Sequence, residues 1–349
     1  MTSAGQARSP DAEDAAGIRS VSFCDPDGQR WSWAALTGPT ELTGDGLPTR
    51  VLTTVHGVSI VQHYLPEKEA RSGSVLVGRL ENEVRIGLRL VRRYPLGYPA
   101  ELGRLIGYDL DAAVPFVLHA MPRGRPCSLS AGRLALEPLG GFERSLVLAL
   151  SLLAAAGVVH GELDPETIKW DGRSVHIDGF GGAARIGERR EVLRDGAWSS
   201  PEQREGPGGA DPADDMWSAG LVILHVATGR AVHGSLGPPD LENRGVALRG
   251  LLAGVFAEDI RVRPSAQALA DRLGGVPPVP AMPVALVEAG QALERGRRAY
   301  ETALSDKQSD SVAVRVPPPA SGAGRQRWWL VATPVVVVLA IILVIGVLL

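Results

Sequence analysis

Lysine is the scarcest charged residue of this sequence. Among the 36 lysines and arginines only Lys68, Lys169 and Lys307 are lysines, so a reaction that needs a lysine amine has few places to occur. An excess of positive charge is also missing, because the formal net charge is −3. Nucleic-acid-binding domains are typically basic, and we therefore expect no nucleic-acid partner.

Cysteine is equally rare. Cys24 and Cys127 are the two thiols of the chain. Two cysteines offer neither a disulfide framework nor the cysteine spacing of a zinc site, so the sequence predicts a reducing compartment and no metal site. The first 20 residues lack the apolar run of a secretory signal. Residues 1–17 are small and polar, which is typical of a disordered segment.

The C-terminal end is, in contrast, strongly apolar. Residues 328–349, which begin with Trp328 and end with Leu349, carry no charge. As a helix with about 1.5 Å rise per residue they would reach about 33 Å, which is enough to cross a bilayer core. Arginines precede this run, so the pattern predicts a single-pass cell-membrane anchor with the preceding residues in the cytoplasm. Residues 305–327 are rich in Ser, Gly and Pro and are predicted to be a juxtamembrane linker.

Between the two ends, strand patterns come first and helix patterns follow. Two hairpins are predicted, one around the turn in "SFCDPDGQRW" and one around His56-Gly57. Apolar spacing in "GRLENEVRIGLRLVRRY" predicts an amphipathic helix, and "GRLIGYDLDAAVPFVLHAMP" returns to strand character. Further helices are predicted in "GFERSLVLALSLLAAAGVV", "PADDMWSAGLVILHVATG", "SAQALADRL" and "ALVEAGQALERGRRAYETAL". The fold class is therefore α+β, with a sheet-rich lobe at 18–125 and a helical lobe at 126–304.

Five motifs in the helical lobe occur in a defined order. They are "HGELDPET", "VHIDGFGGA", "AWSSPEQ", "DDMWSAG" and "RVRPSA". As a set they resemble the catalytic loop, the Asp-Phe-Gly strand, the Ala-Pro-Glu end of the activation segment, the Asp-x-Trp-Ser-x-Gly helix and the late Arg-Pro-Ser of protein kinases. The chain therefore resembles the protein kinase superfamily and is similar to bacterial membrane-anchored Ser/Thr kinases. The resemblance implies a bilobal fold, with a small β-rich N-lobe that contains one helix and a larger helical C-lobe, followed by one C-terminal transmembrane helix.

The catalytic positions implied by this resemblance carry unusual side chains. Glu162 stands where an active kinase has its catalytic Asp, and Thr167 stands where it has a metal-binding Asn. Gly179 aligns with the metal-binding Asp of Asp-Phe-Gly. Asp178 lies one residue earlier, and because neighbouring strand residues point to opposite faces, we expect its carboxylate to face away from the metal position. Glu162, Thr167 and Asp178 are thus the degraded candidate catalytic residues.

The nucleotide-binding positions implied by the resemblance are altered as well. The strand "VSIVQHYL" should carry the lysine that pairs with phosphate, and Val61 or Gln62 takes its place. Lys68 lies beyond that strand and is interpreted as a solvated surface charge. The helix acid that would pair with the lysine is Glu83 or Glu81. Val61, Gln62 and Glu83 are therefore the candidate nucleotide-pocket residues.

Positions that hold a kinase fold together are, by contrast, retained. The resemblance implies that His160 anchors the catalytic loop and that Asp215 binds the backbone of that loop. It also implies a buried ion pair between Glu202 and Arg263 that ties the activation segment to the C-lobe. Scaffold positions match while chemical positions do not, and this pattern is typical of a pseudokinase.

The sequence therefore predicts a membrane-tethered, catalytically impaired pseudokinase. Such a protein would act as a signalling scaffold or regulator by binding a cytoplasmic protein. Two alternatives remain open: a weakly active or atypical ATP-dependent Ser/Thr kinase that uses Glu162 and Asp178, and a nucleotide-binding regulator without phosphoryl transfer. ATP and Mg²⁺ are the cofactors to be tested, and the sequence alone establishes neither of them.

Overall fold

The structure is a computed structural model, and it describes residues 18–42, 47–72, 74–190, 196–206, 208–230, 239–242 and 245–275. The chain divides into two compact units, Met1–Met282 and Pro283–Leu349, and every described residue belongs to the first. The predicted disordered N-terminus, the juxtamembrane linker, the membrane helix at 328–349 and the helix in "ALVEAGQALERGRRAYETAL" lie outside the described residues.

The first part of the domain is a closed antiparallel barrel in the strand order β1-β2-β3-β4-β6-β5. Both predicted hairpins are confirmed, and the turn of the second contains Gly57 with a φ of 78°. Pairing of Cys24 with Tyr108 closes the barrel between its first and fifth strands. The strands are β1 (Ile18–Cys24), β2 (Arg30–Leu42), β3 (Pro48–Thr54), β4 (Ser59–Tyr64), β5 (Leu105–Asp109) and β6 (Phe116–Ala120).

The barrel has an apolar core of its own. Phe23 meets Trp33 edge-on, with 4.6 Å between the ring centroids. Gly107 is required beside this pair, because a Cβ at that position would lie 2.2 Å from the Phe23 ring. The interior therefore tolerates little change in volume. Its buried side chains are Phe23, Ala35, Leu52, Ile60, Phe116 and Leu118.

Two helices, α1 (Glu67–Ser72) and α2 (Val75–Arg93), follow the fourth strand. The predicted amphipathic helix is confirmed as α2, whose apolar stripe packs on the outer face of the barrel. Gly87 allows close approach, since a Cβ there would lie 2.8 Å from the Leu105 side chain. Glu83 lies on the same buried stripe and is 0% exposed. The helix therefore carries a carboxylate into its interface with the barrel.

The second part of the domain is mainly helical. Its helices are α3 (Leu136–Ala155), α4 (Pro201–Glu205), α5 (Pro212–Thr228), α6 (Val246–Leu251) and α7 (Ala266–Arg272). Short strands connect them: β7 (Arg125–Pro126), β8 (Val158–Val159), β9 (Ile168–Trp170), β10 (Val175–Ile177) and β11 (Ala184–Arg185). The predicted N-cap of α7 is confirmed, because the Ser265 side chain accepts a hydrogen bond from the backbone N–H of Ala268.

Helix α3 is the apolar centre of this lobe. By length and composition it is the single helix of the described residues that could cross a membrane. It packs against α5 and α7, and its buried residues include Phe142, Leu146 and Leu150. A core helix of a folded domain has the same apolar character, which accounts for its composition.

Candidate active-site cleft

The catalytic loop, residues 160–167, connects β8 to β9 and is fixed by buried contacts. His160 is fully buried, and its Nε2 lies 2.9 Å from the carbonyl oxygen of Asp178. As the resemblance implies, the Asp215 carboxylate accepts hydrogen bonds from the backbone N–H of His160 at 2.7 Å and of Gly161 at 2.8 Å. The loop is thereby held to the start of α5.

The Glu162 carboxylate forms an ion pair with an arginine of α2. Arg79 Nη1 donates to Glu162 Oε2 at 3.0 Å, and Nη2 donates to Oε1. The two side chains are only 13% and 19% exposed, so this bidentate, charge-assisted pair is shielded from water. Gly182 makes room for it, because a Cβ there would lie 2.4 Å from the Glu162 carboxyl carbon. Both oxygens of the candidate base are therefore engaged.

The Thr167 hydroxyl is used inside the catalytic loop. Its Oγ1 accepts a hydrogen bond from the backbone N–H of Asp164 at 3.0 Å and donates to the carbonyl oxygen of the same residue at 3.1 Å. The hydroxyl therefore stabilises the turn of the loop. A metal ion would have to displace these contacts in order to use Thr167 as a ligand.

Gly179 supplies no ligand at the position where the resemblance implies a metal-binding Asp. It has a left-handed backbone with φ 77° and ψ 63°, and a Cβ would meet only Thr167 Cγ2, at 3.8 Å. The residue thus has space for a side chain but a backbone that favours glycine.

Asp178 faces a cation on the neighbouring strand. Its Oδ1 lies 3.9 Å from Lys169 Nζ, and its side chain is partly exposed. Burial raises the pKa of Asp178, while the charges of Lys169, His176 and His63 act in the opposite direction. Because Gly179 offers no ligand and the Thr167 hydroxyl is bonded within the catalytic loop, these residues do not fit the two Mg²⁺ ions that kinase chemistry requires.

The β4 residue that contacts the helix glutamate is His63, and neither Val61 nor Gln62, the two residues predicted at the lysine position, makes this contact. Gln62 lies on the interior face of β4 and accepts a hydrogen bond from Arg50 Nε at 2.7 Å. His63 points to the other face because strand side chains alternate, and it contacts α2. Val61 shares the face of His63, but its apolar side chain has no group that could pair with a carboxylate.

Glu83, and not Glu81, is the helix acid that faces the barrel. Its Oε2 lies 2.9 Å from His119 Nε2, and its Oε1 lies 3.6 Å from His63 Nδ1. Burial opposes ionisation of Glu83, but the attraction of His119 and His63 outweighs it and holds the pKa of the carboxyl well below its usual range. Lys68 is exposed on α1 as predicted.

The sequence reasoning missed His63 and His119. They lie on β4 and β6, belong to no recognised motif and are 56 positions apart, so no spacing rule connects them. The available signal was strand alternation, which places His63 on the face that also contains Leu65 and packs against α2.

No family model matches the chain. It is 24% identical over 224 residues to the phosphorylase b kinase gamma catalytic chain, liver/testis isoform, of Mus musculus, covering 58% of this chain and 55% of that protein. It is 27% identical over 243 residues to the probable serine/threonine-protein kinase PkwA of Thermomonospora curvata, covering 63% of this chain and 31% of that protein. The human phosphorylase b kinase isoform matches like the mouse protein, at 24% identity. The chain thus spans about half the length, or less, of these curated relatives.

These relatives are protein kinases, and the similarity is distant. The chain contains a kinase-like domain. In that domain Arg263 makes the contact that the resemblance implies, since its Nη2 donates to Glu202 Oε1 at 2.7 Å. Its side chain is 0% exposed, and the guanidinium lies over the Trp217 ring at 4.9 Å. The end of the activation segment is therefore anchored to the core of the C-lobe.

Helix α2 also holds the beginning of the activation segment of the kinase-like domain. Asn82 Nδ2 lies 3.2 Å, 2.9 Å and 2.5 Å from the carbonyl oxygens of Phe180, Gly181 and Ala183. Arg85 Nη1 binds both carboxylate oxygens of Glu188, at 2.7 Å and 2.8 Å. A groove of about 630 Å³ lies between α2 and this segment. Its walls are thus fixed by polar contacts on both sides.

The substitution Asn82→Ala is expected to release the beginning of the activation segment. It removes the donor for three carbonyl oxygens, and one net hydrogen bond contributes about 1 kcal/mol. We expect amide hydrogen exchange at residues 181–190 to accelerate at least about 5-fold. The exposed neighbour Glu81→Ala is the control. Equal exchange in the two variants would contradict the role assigned to Asn82.

Proposed function

We propose that this chain is a membrane-tethered pseudokinase that acts by binding a cytoplasmic protein and not by transferring phosphate. The observation that carries the proposal is the bidentate ion pair between Arg79 and Glu162. A general base must accept the proton of the substrate hydroxyl, and a carboxylate with both oxygens bound to a guanidinium is a poor acceptor. Gly179 and the internally bonded Thr167 support the same conclusion.

Protein binding is assigned to the groove between α2 and the activation segment. Its lining combines charged side chains such as Arg79, Arg85 and Glu188 with the apolar side chain of Val75, which is 74% exposed. A transient protein interface is about as apolar as the rest of a protein surface, so this mixed composition suits such an interface. The proposed partner would therefore contact α2 and the activation segment together.

The membrane tether is proposed from the run at 328–349 and the arginines that precede it. The expected topology places the kinase-like domain in the cytoplasm. A protease added outside intact cells should leave the domain undigested, while the same protease should digest it after the cells are permeabilised. Digestion in intact cells would contradict the proposed orientation.

A thermal-shift titration with ATP, with and without Mg²⁺, tests the absence of phosphoryl transfer. We expect no Mg²⁺-dependent rise in Tm, and phosphate incorporation no greater than that of Glu162→Ala. The physical reason is the missing metal ligand at Gly179 together with the engaged Glu162 carboxylate.

Two outcomes would contradict the proposal in different ways. A Mg²⁺-dependent shift with incorporation that is lost in Glu162→Ala would establish the atypical kinase instead. A rise in Tm with ATP alone, without incorporation, would instead favour the nucleotide-binding regulator.

A further inference from the structure

Three buried side chains from three different elements converge between the barrel and α2. They are His63 on β4, Glu83 on α2 and His119 on β6. One donor atom from each lies within 4.8 Å of the other two. Among the described residues this is the one such group of His, Cys, Asp or Glu side chains.

The distances in this group match a shared metal ion. Donor atoms that bind zinc at about 2.0–2.1 Å in a tetrahedral arrangement are roughly 3.3 Å apart. His119 Nε2 lies 2.9 Å from Glu83 Oε2, and His63 Nδ1 lies 3.6 Å from the other oxygen, Oε1, so each imidazole nitrogen is near that separation from one oxygen of the carboxylate.

The orientation of the His119 and Glu83 side chains also favours an ion between them. Although His119 Nε2 and Glu83 Oε2 are close and completely buried, they lack the alignment of an N–H···O hydrogen bond. A buried carboxylate oxygen without a hydrogen bond is costly. An ion at the point where the donors converge would satisfy the carboxylate and the imidazole together.

The chemistry of the donors selects the ion. Two imidazole nitrogens and one carboxylate oxygen suit Zn²⁺, whereas Mg²⁺ and Ca²⁺ prefer ligand sets made of oxygen. Three protein ligands leave a fourth position for water or another donor. We propose that His63, Glu83 and His119 form a Zn²⁺ site that joins β4, β6 and α2 of the kinase-like domain.

Such a site would act as a structural link. The three ligands come from elements that are separated in sequence, so an ion that binds only the folded state stabilises their association. A ligand present at 100 times its Kd is expected to raise the Tm of a domain of this size by roughly 5–10 °C. The proposal is independent of whether the domain transfers phosphate.

The test uses the purified full chain after treatment with a chelator. We expect about one Zn²⁺ per chain on reconstitution, with the rise in Tm given above and a much smaller effect of Mg²⁺. Co²⁺ should give the visible spectrum of a four-coordinate ion with nitrogen and oxygen ligands and no thiolate band. The Co²⁺ spectrum is measured on the unaltered chain, so it does not depend on whether a variant folds.

The variants His119→Gln and His63→Gln remove one ligand each. We expect Zn²⁺ binding to weaken by more than the 10–100-fold that loss of an outer contact causes. The control is His56→Gln, which changes an exposed histidine of the β3–β4 turn and should bind like the unaltered chain. The proposal is overturned if neither Zn²⁺ nor Co²⁺ raises the Tm of the unaltered chain. It is also overturned if His119→Gln and His56→Gln bind Zn²⁺ with the same affinity.

Discussion

Replacing Arg263 by alanine is expected to destabilise the kinase-like domain by about 3–5 kcal/mol. The guanidinium is 0% exposed and bonds Glu202, so its removal leaves a carboxylate without its partner. It also removes the donors for the carbonyl oxygens of Ala257, at 2.9 Å, and Ala213, at 3.3 Å. At roughly 2–4 °C per kcal/mol, the Tm should fall by about 6–20 °C.

The matched control for this prediction is Arg261→Ala. Arg261 lies two positions before Arg263 and also pairs with a carboxylate, that of Asp259. Its side chain, however, is 85% exposed. Exposed ion pairs contribute little to stability, so the Tm should fall far less than in Arg263→Ala. Equal losses in the two variants, measured by thermal or urea unfolding, would mean that the Arg263 contacts do not anchor the activation segment.

Replacing Asp215 by alanine is the second substitution with a large expected effect. It leaves the backbone N–H groups of His160 and Gly161 without an acceptor inside the protein. Each unsatisfied buried donor costs about 1–3 kcal/mol, so we expect a loss of about 2–6 kcal/mol in the free energy of unfolding. Asp211→Ala is the control, because that residue caps the same helix at an exposed position and should cost about 1 kcal/mol.

The penalty for Asp215→Ala should also depend on pH. Burial raises the pKa of Asp215 to about 6, despite the attraction of His160. A carboxyl whose pKa is higher in the folded state favours folding while it is protonated, and this contribution is lost as the pH rises through the folded-state pKa. Between pH 5 and pH 7, the free energy of unfolding should therefore fall by about 1 kcal/mol more for the unaltered chain than for Asp215→Ala, as measured by urea unfolding at each pH. A penalty that grows with pH would contradict this assignment.

The strand and helix patterns were readable from the sequence because they are local. The hairpin of β3 and β4, the amphipathic α2 and the cap at Ser265 each depend on residues a few positions apart. Closure of the barrel was not readable, because it depends on the pairing of Cys24 with Tyr108 across most of the lobe. No local pattern in the sequence indicates a contact between residues so far apart.

In the candidate site, too, the residues within short motifs could be predicted and the long-range contacts could not. The positions of Glu162, Thr167 and Gly179 followed from the motifs, since each occupies a fixed place in a short segment. Arg79 did not, because its contact with Glu162 spans 83 positions and belongs to no motif. The sequence placed Val61 or Gln62 at the lysine position, whereas the residue that contacts Glu83 is the next one, His63; a shift of one residue in a strand moves the side chain to the opposite face.

Helix α2 contacts the barrel, the catalytic loop and the activation segment. Along this one helix, Glu83 contacts the barrel, while Arg79 contacts the catalytic loop and Asn82 contacts the activation segment. If a ligand bound at the Glu83 contacts changes the affinity for a ligand at the Arg79 and Asn82 contacts, the second ligand changes the affinity for the first by the same factor, because linkage is reciprocal. Helix α2 is therefore one rigid element to which both the barrel and the activation segment are attached.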